Sequence, residues 1–115
     1  MTNKEKRKHS RIDSVNLLNY VYFDENLKEE NQGMGRTLNV SESGILLETY
    51  TPMDARRTVS LTIGFKEEVV DIKGRVVYMK KNENGMFESG IEFFDVVENA
   101  RNVLRKYIQA FHQDA

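Results

Sequence analysis

The sequence predicts a mainly β protein, a small six-stranded antiparallel β-barrel closed by a C-terminal α-helix. Short segments that alternate apolar and polar residues, separated by turn signals, fill most of the chain. Near residue 96 the apolar period changes to the three- and four-residue steps of an amphipathic helix. The 115 residues fit one domain, and 39% hydrophobic with 30% charged residues is typical of a globular protein.

Six strands are predicted along the chain, at residues 15–23, 35–40, 45–48, 59–65, 69–79 and 86–94. Residues 24–32 are polar and acidic and are predicted to form a hairpin loop. Residues 41–44, 51–54 and 82–85 carry the Ser, Asn, Pro, Asp and Gly residues of tight turns.

Individual side chains can also be assigned to faces. In the first strand one parity carries Val15, Leu17, Val21 and Phe23. A helix is predicted over residues 98–112, and we expect its stripe to cover an open face of the barrel. That stripe includes Val103, Leu104, Tyr107 and Phe111. The five tyrosines are interpreted as core or rim residues.

Composition excludes several kinds of site. The chain has no cysteine, and therefore no disulfide, zinc–thiolate site or thiol nucleophile. Its apolar runs reach only three or four residues, whereas a membrane-spanning helix needs roughly 20. The charged N-terminal residues lead into no apolar stretch, so we expect no secretory signal and a cytoplasmic location.

Charge is distributed unevenly. The first eleven residues hold five bases and one acid, whereas the rest of the chain holds 12 bases and 17 acids. We therefore expect residues 1–13 to form a flexible basic arm and residues 14–115 to form the barrel with its helix. A basic arm on an acidic body indicates an anionic ligand at the arm, and it argues against general binding of DNA or RNA.

Two polar clusters stand out. Arg7 and Arg11 form an Arg-x-x-x-Arg motif in the arm, and residues 39–44 form an Asn-x-Ser-x-x-Gly turn between two strands. In this order the two motifs resemble the signature of the PilZ domain family. Two later segments are also similar to strands of that family, Gly-Arg-Val-Val from Gly74 and Gly-Ile-Glu-Phe from Gly90. The resemblance covers residues 6–110.

The resemblance implies a receptor for cyclic di-GMP, with a site formed by Arg7, Arg11, Asn39, Ser41 and Gly44 and helped by Lys6 and Lys8. These residue types suit the ligand. Arginine forks pair with phosphate or with the O6/N7 edge of guanine, and amide and hydroxyl groups add hydrogen bonds. Glycine at position 44 permits a positive φ or a close backbone approach.

The resemblance also addresses the number of ligands. In the family the residue before the first motif arginine influences whether one cyclic di-GMP binds or an intercalated pair. That residue is Lys6, with Lys8 nearby. Extra positive charge offsets the repulsion among four phosphates, which favours two ligands.

No catalytic constellation is present in the sequence, so we expect a binding protein without enzymatic activity, metal or cofactor. His9 and His112 lack metal-ligand spacing, and Ser41 has no evident base. With no second domain apparent, we expect output through a downstream protein partner or through self-association as a homodimer. Two alternatives remain, a protein-interaction adaptor of the same fold that ignores nucleotide and a nucleic-acid-binding barrel. For residues 39–44 the alternative is a plain turn.

Overall fold

The computed structural model describes residues 16–114, which form a closed β-barrel and a C-terminal helix. Strand order is β1-β2-β3-β6-β5-β4, every pairing is antiparallel, and β1 pairs with β4 to close the barrel. The predicted fold class is therefore confirmed. The elements are β1 Leu17–Phe23, β2 Glu29–Val40, β3 Gly44–Thr49, β4 Thr58–Phe65, β5 Glu68–Lys81, β6 Phe87–Phe94 and α1 Glu98–Asp114.

The hairpin loop predicted over residues 24–32 is shorter than expected, because β2 already begins at Glu29. Asp24 closes the loop, and its carboxylate accepts the backbone N–H groups of Asn26 and Lys28 at 2.8 and 2.9 Å. The bond from Lys28 lowers the pKa of that carboxyl group. Glu29 stays exposed while its backbone pairs with Phe23. Because side chains at the start of β2 face solvent at the barrel rim, this part of the strand has no apolar alternation. The sequence pattern therefore did not predict it.

The buried face of β1 consists of Leu18, Tyr20 and Tyr22. The described apolar residues of the opposite parity, Leu17, Val21 and Phe23, lie on the outer face, and Leu17 is 43% exposed. Tyrosine can replace an aliphatic residue here because its ring is buried while its hydroxyl finds a polar partner. The hydroxyl of Tyr22, for example, accepts the backbone N–H of Asp54 at 2.8 Å.

The helix completes the core. Its predicted apolar stripe is confirmed as buried, at Ala100, Val103, Leu104, Tyr107 and Phe111. The helix packs against β4 and β5, and the Tyr107 hydroxyl lies 2.7 Å from the Thr37 hydroxyl of β2. Burial raises the pKa of the Tyr107 phenol. Within residues 16–114 no helix is long and apolar enough to cross a membrane.

The buried stripe leads to a stability prediction. Leu104 is fully buried, so Leu104→Ala should lower the free energy of unfolding by about 2–5 kcal/mol through lost burial and a residual cavity. Val97→Ala, just before the same helix, is the control because Val97 is 63% exposed. Urea denaturation followed by circular dichroism measures both. Equal effects of the two substitutions would contradict the packing of α1 on the barrel.

Candidate functional site

The Asn-x-Ser-x-x-Gly segment comprises the end of β2, the predicted tight turn and the first residue of β3. The Ser41 N–H donates to the Gly44 carbonyl at 2.9 Å. The Ser41 hydroxyl accepts the Ser43 N–H at 3.2 Å and lies 3.0 Å from the Ser43 hydroxyl. The Phe93 N–H donates to the Ser43 carbonyl at 2.9 Å. These bonds fix the turn on itself and against the end of β6.

Gly44 is required for a close backbone approach. Its φ is not positive, so the conformational reason suggested by the sequence does not apply. A Cβ at this position would overlap the carbonyl oxygen of Ile91 and lie 3.4 Å from the Cα of Glu92. The glycine therefore lets β3 lie directly against β6, and it joins the turn to a strand almost fifty residues away in sequence.

Asn39 lies beside a β-bulge. The register of β2 on β3 shifts between Thr37 and Asn39, which leaves Leu38 as the extra residue. Bulges of this kind re-aim side chains and are common next to binding sites. The Asn39 side-chain carbonyl accepts the N–H of Val40 at 2.9 Å. That bond leaves the NH₂ group as the end of the amide that can donate to a ligand.

A cavity of about 310 Å³ opens on the outer surface of the barrel at this turn. Asn39, Ser41 and Gly44 all line it, so the structure brings together every predicted site residue that it describes. Lys6, Arg7, Lys8 and Arg11 lie outside the described residues. The remaining lining residues are Val40, Ser43, Ile45, Leu46, Val77, Tyr78, Gly90, Ile91 and Glu92.

The floor of the cavity is a row of outward-facing residues that crosses four strands. Asn39 pairs with Leu46, Leu46 with Gly90, and Gly90 with Tyr78. A second bulge, at Val77, precedes Tyr78 in β5. Motif spacing gave no indication of this row. The one signal available in the sequence was a glycine inside a strand, which often marks a close approach of another group.

The described residues that line the cavity carry a single charged side chain. Among the lining residues described, Glu92 is the only ionisable side chain apart from the phenol of Tyr78. Its cross-strand neighbour on β5 is Arg75, whose guanidinium lies 5.4 Å from the centre of the Phe94 ring. The barrel side of the cavity thus provides amide, hydroxyl, apolar and carboxylate groups, and it provides no cation of its own from residues 16–114.

The next row toward the other end of the same strands has two acids directly opposite each other, Glu48 and Glu88. Like charges at such positions destabilise a sheet unless they are compensated. The Asn82 amide donates to both carboxylates, at 2.7 and 3.2 Å. Arg36 lies 3.0 Å from Glu48, and Lys80 lies 3.9 Å from Glu88. This row is a satisfied polar network next to the cavity.

The turn also contacts the helix. Glu42 forms an ion pair with Arg105 at 3.3 Å, with both side chains about half exposed. His112 Nε2 lies 3.3 Å from the carbonyl oxygen of Val40, the last residue of β2. One side of the turn therefore lines the cavity, and the other rests on α1.

Comparison with known proteins agrees with this architecture. The model of the PilZ domain family matches residues 5–110, so the chain belongs to the PilZ domain family. A PilZ domain of YcgR from Escherichia coli, solved with c-di-GMP, is similar at a TM-score of 0.62 and 9% identity over 85% of this chain and 83% of that one. The PilZ domain of CeSA from a cellulose-synthesizing bacterium is similar at a TM-score of 0.58 and 10% identity over 84% and 93%. No curated protein matches the chain in sequence.

The contact between β3 and β6 leads to a second prediction. Gly44→Ala should lower the free energy of unfolding by about 1–3 kcal/mol, because the new methyl group meets backbone that cannot move aside cheaply. Gly64→Ala is the matched control. It is also a strand glycine, but its added Cβ would make only ordinary contact, at 3.4 Å from the Glu68 carbonyl. Chemical denaturation of both variants checks the prediction, and a Gly44 variant as stable as the control would contradict it.

Proposed function

We propose that this protein is a receptor for cyclic di-GMP, acting by binding and not by catalysis. One observation carries the proposal: the three residues of its Asn-x-Ser-x-x-Gly motif line a single cavity on the barrel. Membership of the PilZ family supports it, as does the similarity to a PilZ domain solved with c-di-GMP. We also propose a cytoplasmic location, where such a second messenger acts.

The groups in the cavity suit the guanine part of this ligand. The Asn39 NH₂ group is a donor that matches the O6 and N7 acceptors of guanine. The Glu92 carboxylate is an acceptor for the guanine 2-amino group. Leu46, next to Asn39 in the floor row, provides an apolar surface on which a planar base can lie.

The phosphates require a second source of interactions. A ligand with two phosphodiester charges would be bound poorly by a cavity whose only charged side chain, within residues 16–114, is a carboxylate. The arm supplies what is missing, because Arg7 and Arg11 can form paired, charge-assisted hydrogen bonds to phosphate or guanine. In this proposal the barrel recognises the bases and the arm neutralises the phosphates.

Signalling would follow from the same division. Ligand binding brings the arm over the 41–44 turn, which changes the surface presented to a downstream protein or to a second copy of the chain. The Glu42–Arg105 pair and the contact between His112 and Val40 join that turn to α1. The helix is therefore the element through which the barrel would respond.

Titration calorimetry tests the ligand. Cyclic di-GMP should bind with a Kd of roughly micromolar or tighter, about −8 kcal/mol, and GTP and cyclic GMP should bind far more weakly. Arg7→Ala and Arg11→Ala should each weaken binding at least about tenfold, since a charge-assisted hydrogen bond contributes about 1.5–3 kcal/mol. Ser41→Ala should weaken binding less.

Lys4→Ala is the matched control, because it removes one positive charge from the same arm outside the motif. It should weaken binding less than either arginine substitution, and none of the three should change the melting temperature of the free protein. An absence of heat and of a thermal shift at high ligand excess would instead support the adaptor function.

A separate prediction concerns stoichiometry. With a lysine before the first motif arginine, two cyclic di-GMP molecules should bind per chain, and Lys6→Leu should shift the ratio toward one because the repulsion among four phosphates is then less compensated. The molar ratio at saturation measures this, with protein concentration determined independently. A ratio of one for the unmodified protein would show that an ammonium group, which lacks the planar fork of arginine, does not support the second ligand.

A further inference from the structure

The side chain of Tyr78 occupies a distinctive position in the cavity. It ends the floor row opposite Asn39, immediately after the bulge at Val77, and is 50% exposed. Four adjacent strands span roughly 14 Å, at about 4.8 Å per strand spacing. The row therefore has a hydrogen-bonding amide at one end, an apolar middle and an aromatic ring at the other end.

The ring of Tyr78 is held in place by Gly90. A Cβ at position 90 would overlap the ring edge, and would lie only 2.8 Å from Cδ2 and 2.9 Å from Cζ. The ring thus rests on the bare backbone of β6, in space that any other residue would fill. An aromatic ring that is half exposed, yet braced from below, loses little conformational freedom when a ligand contacts it.

Core packing does not account for this arrangement. The outward-facing side chain of Tyr78 lies on the cavity side of β5, whereas the neighbouring inward residue Val76 is 1% exposed and belongs to the core. Leu46, which pairs with Gly90 on the side away from Tyr78, also lines the cavity and adds an apolar contact. Aromatic side chains in such a cavity bind nucleobases by stacking, a contact that every purine can make.

We propose that Tyr78 is a stacking platform for a guanine of the bound cyclic dinucleotide, positioned by Gly90. This proposal rests on the proposed function and adds to it a recognition residue that lies outside both sequence motifs. Asn39, at the polar end of the row, then determines which edge of the base forms hydrogen bonds, and Tyr78 determines the plane in which the base lies.

Three variants test the proposal by calorimetry with cyclic di-GMP. Tyr78→Ala should weaken binding roughly tenfold, within the range that loss of one base–aromatic stack produces. Tyr78→Phe keeps the ring and should recover most of the affinity. Tyr50→Ala is the matched control, because Tyr50 is also an exposed tyrosine, at 79%, and does not line the cavity; its affinity should equal that of the unmodified protein.

A fourth variant tests the support that Gly90 gives to the ring. Gly90→Ala retains the tyrosine but displaces its ring, so it should weaken binding in the same direction as Tyr78→Ala. Fluorescence adds a direct readout, since the chain has five tyrosines and no tryptophan. Cyclic di-GMP should quench part of the tyrosine emission, and that part should be missing in Tyr78→Phe although this variant still binds.

The outcomes separate the two proposals. If the unmodified protein binds cyclic di-GMP and Tyr78→Ala binds equally well, the stacking role is overturned and the receptor function stands. The same holds if Tyr78→Phe loses as much affinity as Tyr78→Ala, because the hydroxyl would then be the group that matters. If the unmodified protein binds no cyclic di-GMP, both proposals are overturned.

Discussion

The pairing of β3 with β6 is the contact on which the rest of this molecule depends. It joins the motif turn to a strand from the second half of the chain, and it does so at a distance that only Gly44 permits. The same pairing places Gly90 opposite Leu46 on the outer surface, where the glycine is covered by the Tyr78 ring. The position of the motif turn and the floor of the cavity therefore both depend on this strand pairing.

For the proposed receptor, the uneven distribution of charge along the chain offsets a composition that would otherwise disfavour an anionic ligand. A body with an excess of acids is a poor receptor for a dianion by itself. The described cavity surface contains neutral polar groups and Glu92, which suit bases better than phosphates. In the proposed receptor, five bases within residues 4–11 interact with the phosphates, so the rest of the chain can keep its excess of acids.

The sequence predicted the strands with strong alternation, the three main turns and the helix, because each has a local pattern of apolar residues or turn residues. The sequence did not predict the start of β2 at Glu29, because exposed acidic side chains there give no apolar pattern although the backbone is paired. In β1 the apolar alternation lay on one parity, whereas the buried parity carries the tyrosines. The motif identified Asn39, Ser41 and Gly44, which the structure brings together. Tyr78 and Glu92 could not be found in this way, since cross-strand register and two bulges place them at the cavity.

The acidic row beside the cavity affects whether carboxylates of the barrel compete with the ligand for the arginines of the arm. Carboxylates without partners at that position would attract the arginines of the arm, and each molecule held in such a self-bound form would be withdrawn from ligand binding. The apparent affinity falls in proportion to the fraction of molecules that is competent to bind. Glu48 and Glu88 already share the Asn82 amide, and each has its own basic neighbour, Arg36 or Lys80. In the proposed receptor, this pairing makes Glu48 and Glu88 weaker competitors of the ligand for the arginines of the arm.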